Sequence, residues 1–222
     1  MYVIRNQVNV DVQKVARFEA WIQLVNQHLQ QQPGFQRSSL LNSLGYPARY
    51  QGTIIFTDRQ AAMTWARGPW LSFVAANPVN ELLIPAAPIE AWEVIQSNLG
   101  APAATGSFLA FAEITIDPAQ AQAYEASRKQ LLELFQKHGR GLLGGALARF
   151  LGGPNRYAIS NTFISRADAE ATANAPEIQR FLQANPASNF GGTVTYEFFE
   201  VVQVAVAATV ASANGGAAVR RN

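Results

Sequence analysis

Hydrophobic and polar positions alternate over Tyr2 to Val10, with Tyr2, Ile4, Val8 and Val10 in one phase. That period of two predicts a half-buried strand. The spacing then changes: Val15, Phe18, Ile22, Val25 and Leu29 recur at steps of three and four, the signature of a helix with one apolar stripe. The stretch "QQQPGF" ends that helix, because proline cannot continue it and glycine tolerates the reversal. Phe35 to Ser43 and Arg49 to Thr57 read as strands around the turn "LGYPA". A second helical stretch starts near Arg59 and is interrupted at Gly68-Pro69, and Pro88 to Gln96 closes the series as a strand. The order is strand, helix, strand, strand, helix, strand.

The rest of the chain repeats this order: Ser107 to Ile116, Ala119 to Lys137, Gly141 to Leu151, Arg156 to Ile164, Ala167 to Gln183 and Thr193 to Val204. Short motifs repeat with it. "PARYQGTIIF" from Pro47 meets "PNRYAISNTF" from Pro154, "FEA" from Phe18 meets "YEA" from Tyr124, "ANP" from Ala76 meets "ANP" from Ala184, and Trp92 meets Phe199. An ordered series of matches across both halves marks an internal duplication. A βαββαβ unit is ferredoxin-like, with two helices on one face of a four-stranded antiparallel sheet. The bare sheet face needs cover, and a second copy on the same chain supplies it at an effective concentration set by the linker. The expected fold is therefore α+β: two tandem ferredoxin-like units packed sheet to sheet as an intrachain pseudo-dimeric α+β barrel. The expected boundaries are a first repeat over 1–97, a linker over 98–106, a second, degenerate repeat over 107–204 and a tail over 205–222. No homodimer is needed to cover the sheets, although other surfaces stay free for further assembly.

Composition narrows the function. The chain has 222 residues, 49% hydrophobic and 14% charged, enough for a substantial core. Its net charge of +2 comes from scattered arginines and only three lysines, Lys14, Lys129 and Lys137, with no basic stripe for nucleic acid. The absence of cysteine removes disulfides, thiolate metal sites and a cysteine nucleophile together. "MYVIRNQVNV" lacks the features of a signal peptide, and "VVQVAVAATVA" from Val201 is too short to span a bilayer, so the expectation is a cytoplasmic protein with no membrane partner.

Three features carry the resemblance to a known group: the helix followed by "QQPGF", the strand "RYQGTIIF", and the helix "DRQAAMTWARGPWLSFVAANP" with its alanines, tryptophan and small-residue break. The chain resembles the dimeric α+β barrel superfamily, in particular the antibiotic biosynthesis monooxygenase family and its haem-degrading relatives. The resemblance implies a cofactor-independent oxidation of a small aromatic or quinol-type substrate, deprotonated and then met by oxygen in a dry pocket between sheet and helices. It also implies catalytic roles for Asn6 and Trp65, the asparagine and tryptophan at matching places. Two departures accompany it. Phe56 and Phe163 stand where the monooxygenases often carry a tryptophan, and "SFVAAN" stands where the haem degraders carry a histidine. A haem- or tetrapyrrole-binding relative using another ligand, or a non-catalytic small-ligand-binding barrel, are the alternatives.

Residue by residue, Asn6 shares its phase with Ile4 and Val8, so its amide faces an apolar side and needs a partner in protein, water or ligand. Its repeat counterpart is Ala112, and that of Trp65 is Thr172, so the fold does not itself require Asn6 or Trp65. Trp70, Phe73 and Phe56 are the expected substrate-binding neighbours, with Glu177 and Arg180 opposite Trp70 and Phe73. One cavity per chain, in the first half, is therefore predicted, with Trp65→Phe more damaging than Thr172→Ala. Arg49 and Arg156 recur and suggest a structural task at the entry to the third strand. His28 and His138 do not recur and have no clustered partners, which suits surface or helix-end positions better than a metal site. "GRGLLG" from Gly139 matches a dinucleotide fingerprint only formally, since a helix precedes it and a strand follows.

Overall fold

The computed structural model describes residues 1–84, 89–101, 103–153 and 155–207. In chain order the strands and helices are β1 Tyr2–Val10, α1 Val15–Gln30, β2 Phe35–Ser43, β3 Arg49–Phe56, α2 Arg59–Arg67, α3 Pro69–Ala76, β4 Leu83–Ile84 and β5 Glu90–Leu99. They continue as β6 Phe108–Thr115, α4 Ala121–His138, β7 Leu142–Phe150, β8 Arg156–Phe163, α5 Arg166–Ala173, α6 Pro176–Ala184 and β9 Thr193–Val206.

Local chemistry explains the boundaries. Asp58 accepts from the Ala61 amide at the start of α2, and Ser165 accepts from the Asp168 amide at the start of α5. Pro69 and Pro176 open α3 and α6, where the missing amide hydrogen costs nothing. The expectation of one continuous helix over Ala167 to Gln183 is corrected by Pro176, which breaks it as Pro69 breaks its counterpart. Gly141, at φ +58, turns the chain from α4 into β7, so "GRGLLG" is a helix-stop loop. Strand β5 reaches Leu99, into the stretch expected to be linker. Strand β4, not expected from the sequence, adds two pairs to the end of β1. The tail beyond residue 207 lies outside the described residues.

All strand pairs are antiparallel, and β1, β3, β2, β9, β6, β8, β7 and β5 follow one another around a ring that the β1–β5 pairing closes. The fold is α+β, an eight-stranded closed antiparallel barrel with the helices outside. Within the ring, β5-β1-β3-β2 and β9-β6-β8-β7 have the same order, and they meet at the β2–β9 and β5–β7 pairs. Closure leaves the eight ring strands without free edges.

Strand alternation splits the core in two. Outward-facing Tyr2, Ile4 and Phe56 pack with Val25 and Leu29 of α1 and Trp65 of α2. On the other side, Ile114, Tyr157 and Ile159 pack with Tyr124 and Leu132 of α4. Inward-facing residues fill the barrel with Leu41, Trp92, Phe111, Phe199 and Val201. The lumen also holds ion pairs. Arg5 and Arg156 each contact both Glu90 and Glu113, at 2.5–2.9 Å. At the other end Arg49 pairs with Glu197 at 2.9 Å and donates to Gln7. The repeated arginines thus tie the third strand of each half to the last strand of the other.

Candidate functional site

Beneath α4, α5 and α6, on the outer face of β6, β8 and β9, lies a cavity of about 960 Å³. Its walls are mostly apolar, with Ala110 and Ala112 of β6 on the floor and Leu131 and Phe135 of α4 above. The β2–β3 loop of the first half, with Leu44 and Tyr46, reaches over its mouth, where Tyr196 and Phe198 of β9 are also exposed.

Three polar groups interrupt the apolar wall. Arg128 of α4 is 6% exposed and donates through Nη2 to the carbonyl of Asn185 at 2.7 Å. Its guanidinium lies 5.2 Å from the Tyr124 ring centre and 5.3 Å from that of Phe190. Asn161 of β8 is 5% exposed, and its amide oxygen is buried without a donor among the described residues. A Cβ at Gly145 would stand 2.5 Å from that oxygen, so glycine on the paired strand lets the amide lie against the sheet. The third group is Tyr124, buried on α4; burial pushes its hydroxyl well above the ordinary tyrosine range, keeping it protonated as a donor.

The first half is filled where the second is open. The register that sets Ile4 opposite Ile54 sets Ala110 opposite Asn161, and small Thr172 takes the place of Trp65. Thr172 is buried and bonds the Arg140 backbone. Trp65, 4% exposed, lies 5.6 Å from Phe56 and 5.0 Å from Trp70 between ring centres. Trp70 and Phe73 continue that packing onto Trp21 of α1. The structure therefore brings Trp65, Trp70, Phe73 and Phe56 into one aromatic cluster, and the large cavity falls in the half opposite to the one expected. Asn6 is half-buried beside Gly52, whose absent Cβ leaves room for the amide oxygen. His28 lies in the last turn of α1, as a helix-end position requires; it is half-buried, its ring tilted 33° against that of Phe73 at 4.9 Å, and burial lowers its pKa. Both His28 Nε2 and Trp65 Nε1 are buried without a partner among the described residues. His138 sits in the last turn of α4.

Sequence reasoning passed over Arg128, Tyr124 and Asn161, although the signal was there. Arg128 occupies the apolar stripe of α4 with Tyr124, Leu131 and Phe135, and Asn161 the buried phase of β8 with Tyr157, Ile159 and Phe163. A polar residue in a buried phase is the same signal that drew attention to Asn6. Among the described residues no group of three or more histidine, cysteine or acidic side chains could hold a metal ion, and no helix is long and apolar enough to cross a membrane.

The closed barrel is made of two βαββαβ halves with their helices outside. No protein-family model and no curated protein matches the chain. Solved structures do. A candidate monooxygenase from Fusobacterium nucleatum superposes with a TM-score of 0.76 at 11% identity, over 92% of this chain and 94% of that one. A candidate monooxygenase from Lactobacillus acidophilus gives 0.75 at 9% identity, over 92% and 95%. A haem-degrading enzyme from Listeria monocytogenes gives 0.52 at 12% identity, over 90% and 99%. At these identities the likeness establishes the fold.

Proposed function

We propose that the chain is a monooxygenase-like enzyme that oxidises a small aromatic or quinol-type substrate without a cofactor, in the cavity of its second half. The observation that carries this reading is the cavity itself. Its volume suits a small organic molecule, and apolar walls with a few fixed polar groups are how such sites bind and orient ligands. The names of the structural neighbours point the same way. For an anthrone-type substrate the reaction balances as a ring CH2 plus O2 giving a ring C=O plus water. The chain's part is to exclude water and to stabilise the deprotonated ring with fixed donors. Arg128 and the Tyr124 hydroxyl are the donors in place.

Haem does not fit this cavity's donor set. Its described lining includes no histidine, and burial opposes the ionised form that the Tyr124 phenol would need as an iron ligand.

A second placement is favoured by one observation, the two unpartnered nitrogens of Trp65 and His28. In that reading Asn6 and Trp65 are catalytic and Trp70, Phe73 and Phe56 bind substrate. The architecture we propose for either reading is an intrachain pseudo-dimer, with repeats over 1–97 and 107–204. The partner is a small-molecule substrate, and the setting cytoplasmic.

Oxygen uptake with anthrone- and quinol-type compounds tests both placements. Ala110→Leu puts into the second half the bulk that Ile4 supplies in the first, and should abolish uptake while the fold survives; Trp65→Phe should leave uptake largely intact. The reverse pattern would move the site to Asn6 and Trp65.

A further inference from the structure

We infer that the ligand of the second-half cavity is an aromatic anion, seated through a carboxylate or phenolate oxygen on Arg128. The inference rests on the reading of that cavity as the substrate chamber, and names the class of substrate it takes.

The cavity-lining carboxylates are already engaged: Glu113 with Arg5 and Arg156, Glu170 with Arg166, and Glu197 with Arg49. Arg128 has no carboxylate within ion-pair distance among the described residues, and its Nε is buried with no acceptor. Arginine stays protonated in proteins. A buried cation satisfied only by one carbonyl and two ring faces is costly, and an incoming anion removes that cost. Burial, the leading cause, lowers its pKa.

The fold does not need a cation there. The matching position on α1 is Ile22, which packs beside Phe18 and Leu82 as ordinary core. Nor does α4 need Arg128 to close its stripe, since Leu131 and Leu132 are buried without it. A charge placed where a leucine would pack, at the wall of a large cavity, is a binding group.

Asn161 lines the cavity across from α4, but its amide oxygen is turned against the sheet at Gly145 and is not offered to a ligand. The mouth is flanked by the exposed rings of Tyr46, Tyr196 and Phe198, which suit a flat apolar or aromatic body.

Two fluorescent probes of the same ring system separate charge from shape. 1-Anilinonaphthalene-8-sulfonate is anionic, and N-phenyl-1-naphthylamine lacks the sulfonate. The native chain should bind the anionic probe about tenfold tighter or better. Arg128→Met should lose that preference while binding of the neutral probe stays within about twofold, with circular dichroism confirming the fold. In case that variant does not fold, the unmodified chain gives an independent answer: 1-naphthoate should displace the bound anionic probe well below the concentration needed for 1-naphthylmethanol. Equal affinity for the two probes, or equal displacement by the two naphthalenes, overturns the anion assignment and leaves the chamber standing. If neither probe binds the folded chain, both the assignment and the chamber fall.

Discussion

Glu90 on β5 and Arg156 on β8 are 66 residues apart in sequence and meet at 2.6 Å inside the barrel. Glu197 on β9 and Arg49 on β3 meet in the same way at 2.9 Å. Each pair joins the last strand of one half to the third strand of the other, next to the seams β5–β7 and β2–β9. The arginines also lie over aromatic rings, Arg156 over Trp92 and Phe150 and Arg49 over Tyr46. The seams are thus held by charge-assisted bonds as well as by ladder hydrogen bonds.

Removing one member should therefore cost more than removing a matched pair. Arg156→Met leaves Glu90 and Glu113 sharing Arg5 alone in the lumen, and should lower stability by about 2–4 kcal/mol, discounted because Arg156 keeps some solvent contact. Adding Glu90→Gln should recover part of that loss. Urea unfolding measures both, and an unchanged midpoint in the single variant contradicts the role assigned to the network.

Stability should also fall in alkali. Burial and the hydrogen-bonded Glu125 carboxylate push the Tyr157 hydroxyl up to about 12. Tyr50, beside Glu19, and Tyr124 are raised as well, and for the same leading reason of burial. In the unfolded chain these groups lose their protons near pH 10. The folded form then holds more protons than the unfolded one, so stability is intact below about pH 10 and declines between about 10 and 12. The decline should be about 1.4 kcal/mol per pH unit for each group that stays protonated. Thermal melts across that window should show it, with Tyr157→Phe flattening the slope.

The halves should stay together when the chain between them is cut. A protease site placed between Gly100 and Gly106 severs the backbone, but the β2–β9 and β5–β7 ladders and the Glu90 and Glu197 ion pairs remain. Size-exclusion chromatography of the cut protein should give one peak of unchanged volume. A first half that runs as a stable, soluble monomer would refute the pseudo-dimer.

Two periodicities and a repeated set of motifs made most of the secondary structure legible in the sequence alone, apart from the two-residue β4 and the break at Pro176. Tyr2 to Val10 could only be a strand and Val15 to Leu29 only a helix, because the period of their apolar positions fits one geometry each. The same pattern met twice made the barrel legible, since an antiparallel sheet with one bare apolar face needs a partner. Arg49 and Arg156 were legible as structural through their recurrence, but their partners Glu197 and Glu90 were not, because ion pairs between strands of different halves leave no local spacing. The cavity was legible least of all. Whether space under a helix is filled depends on the summed volumes of side chains that converge from several elements. In the first half Ile4, Ile54, Trp65, Trp70 and Phe73 fill it; in the second Ala110, Ala112 and Asn161 leave it open. Asn6 and Trp65 stand out along the chain because they are distinctive residue types, whereas a cavity is made by what is small, and only the packed tertiary structure decides where small residues face one another.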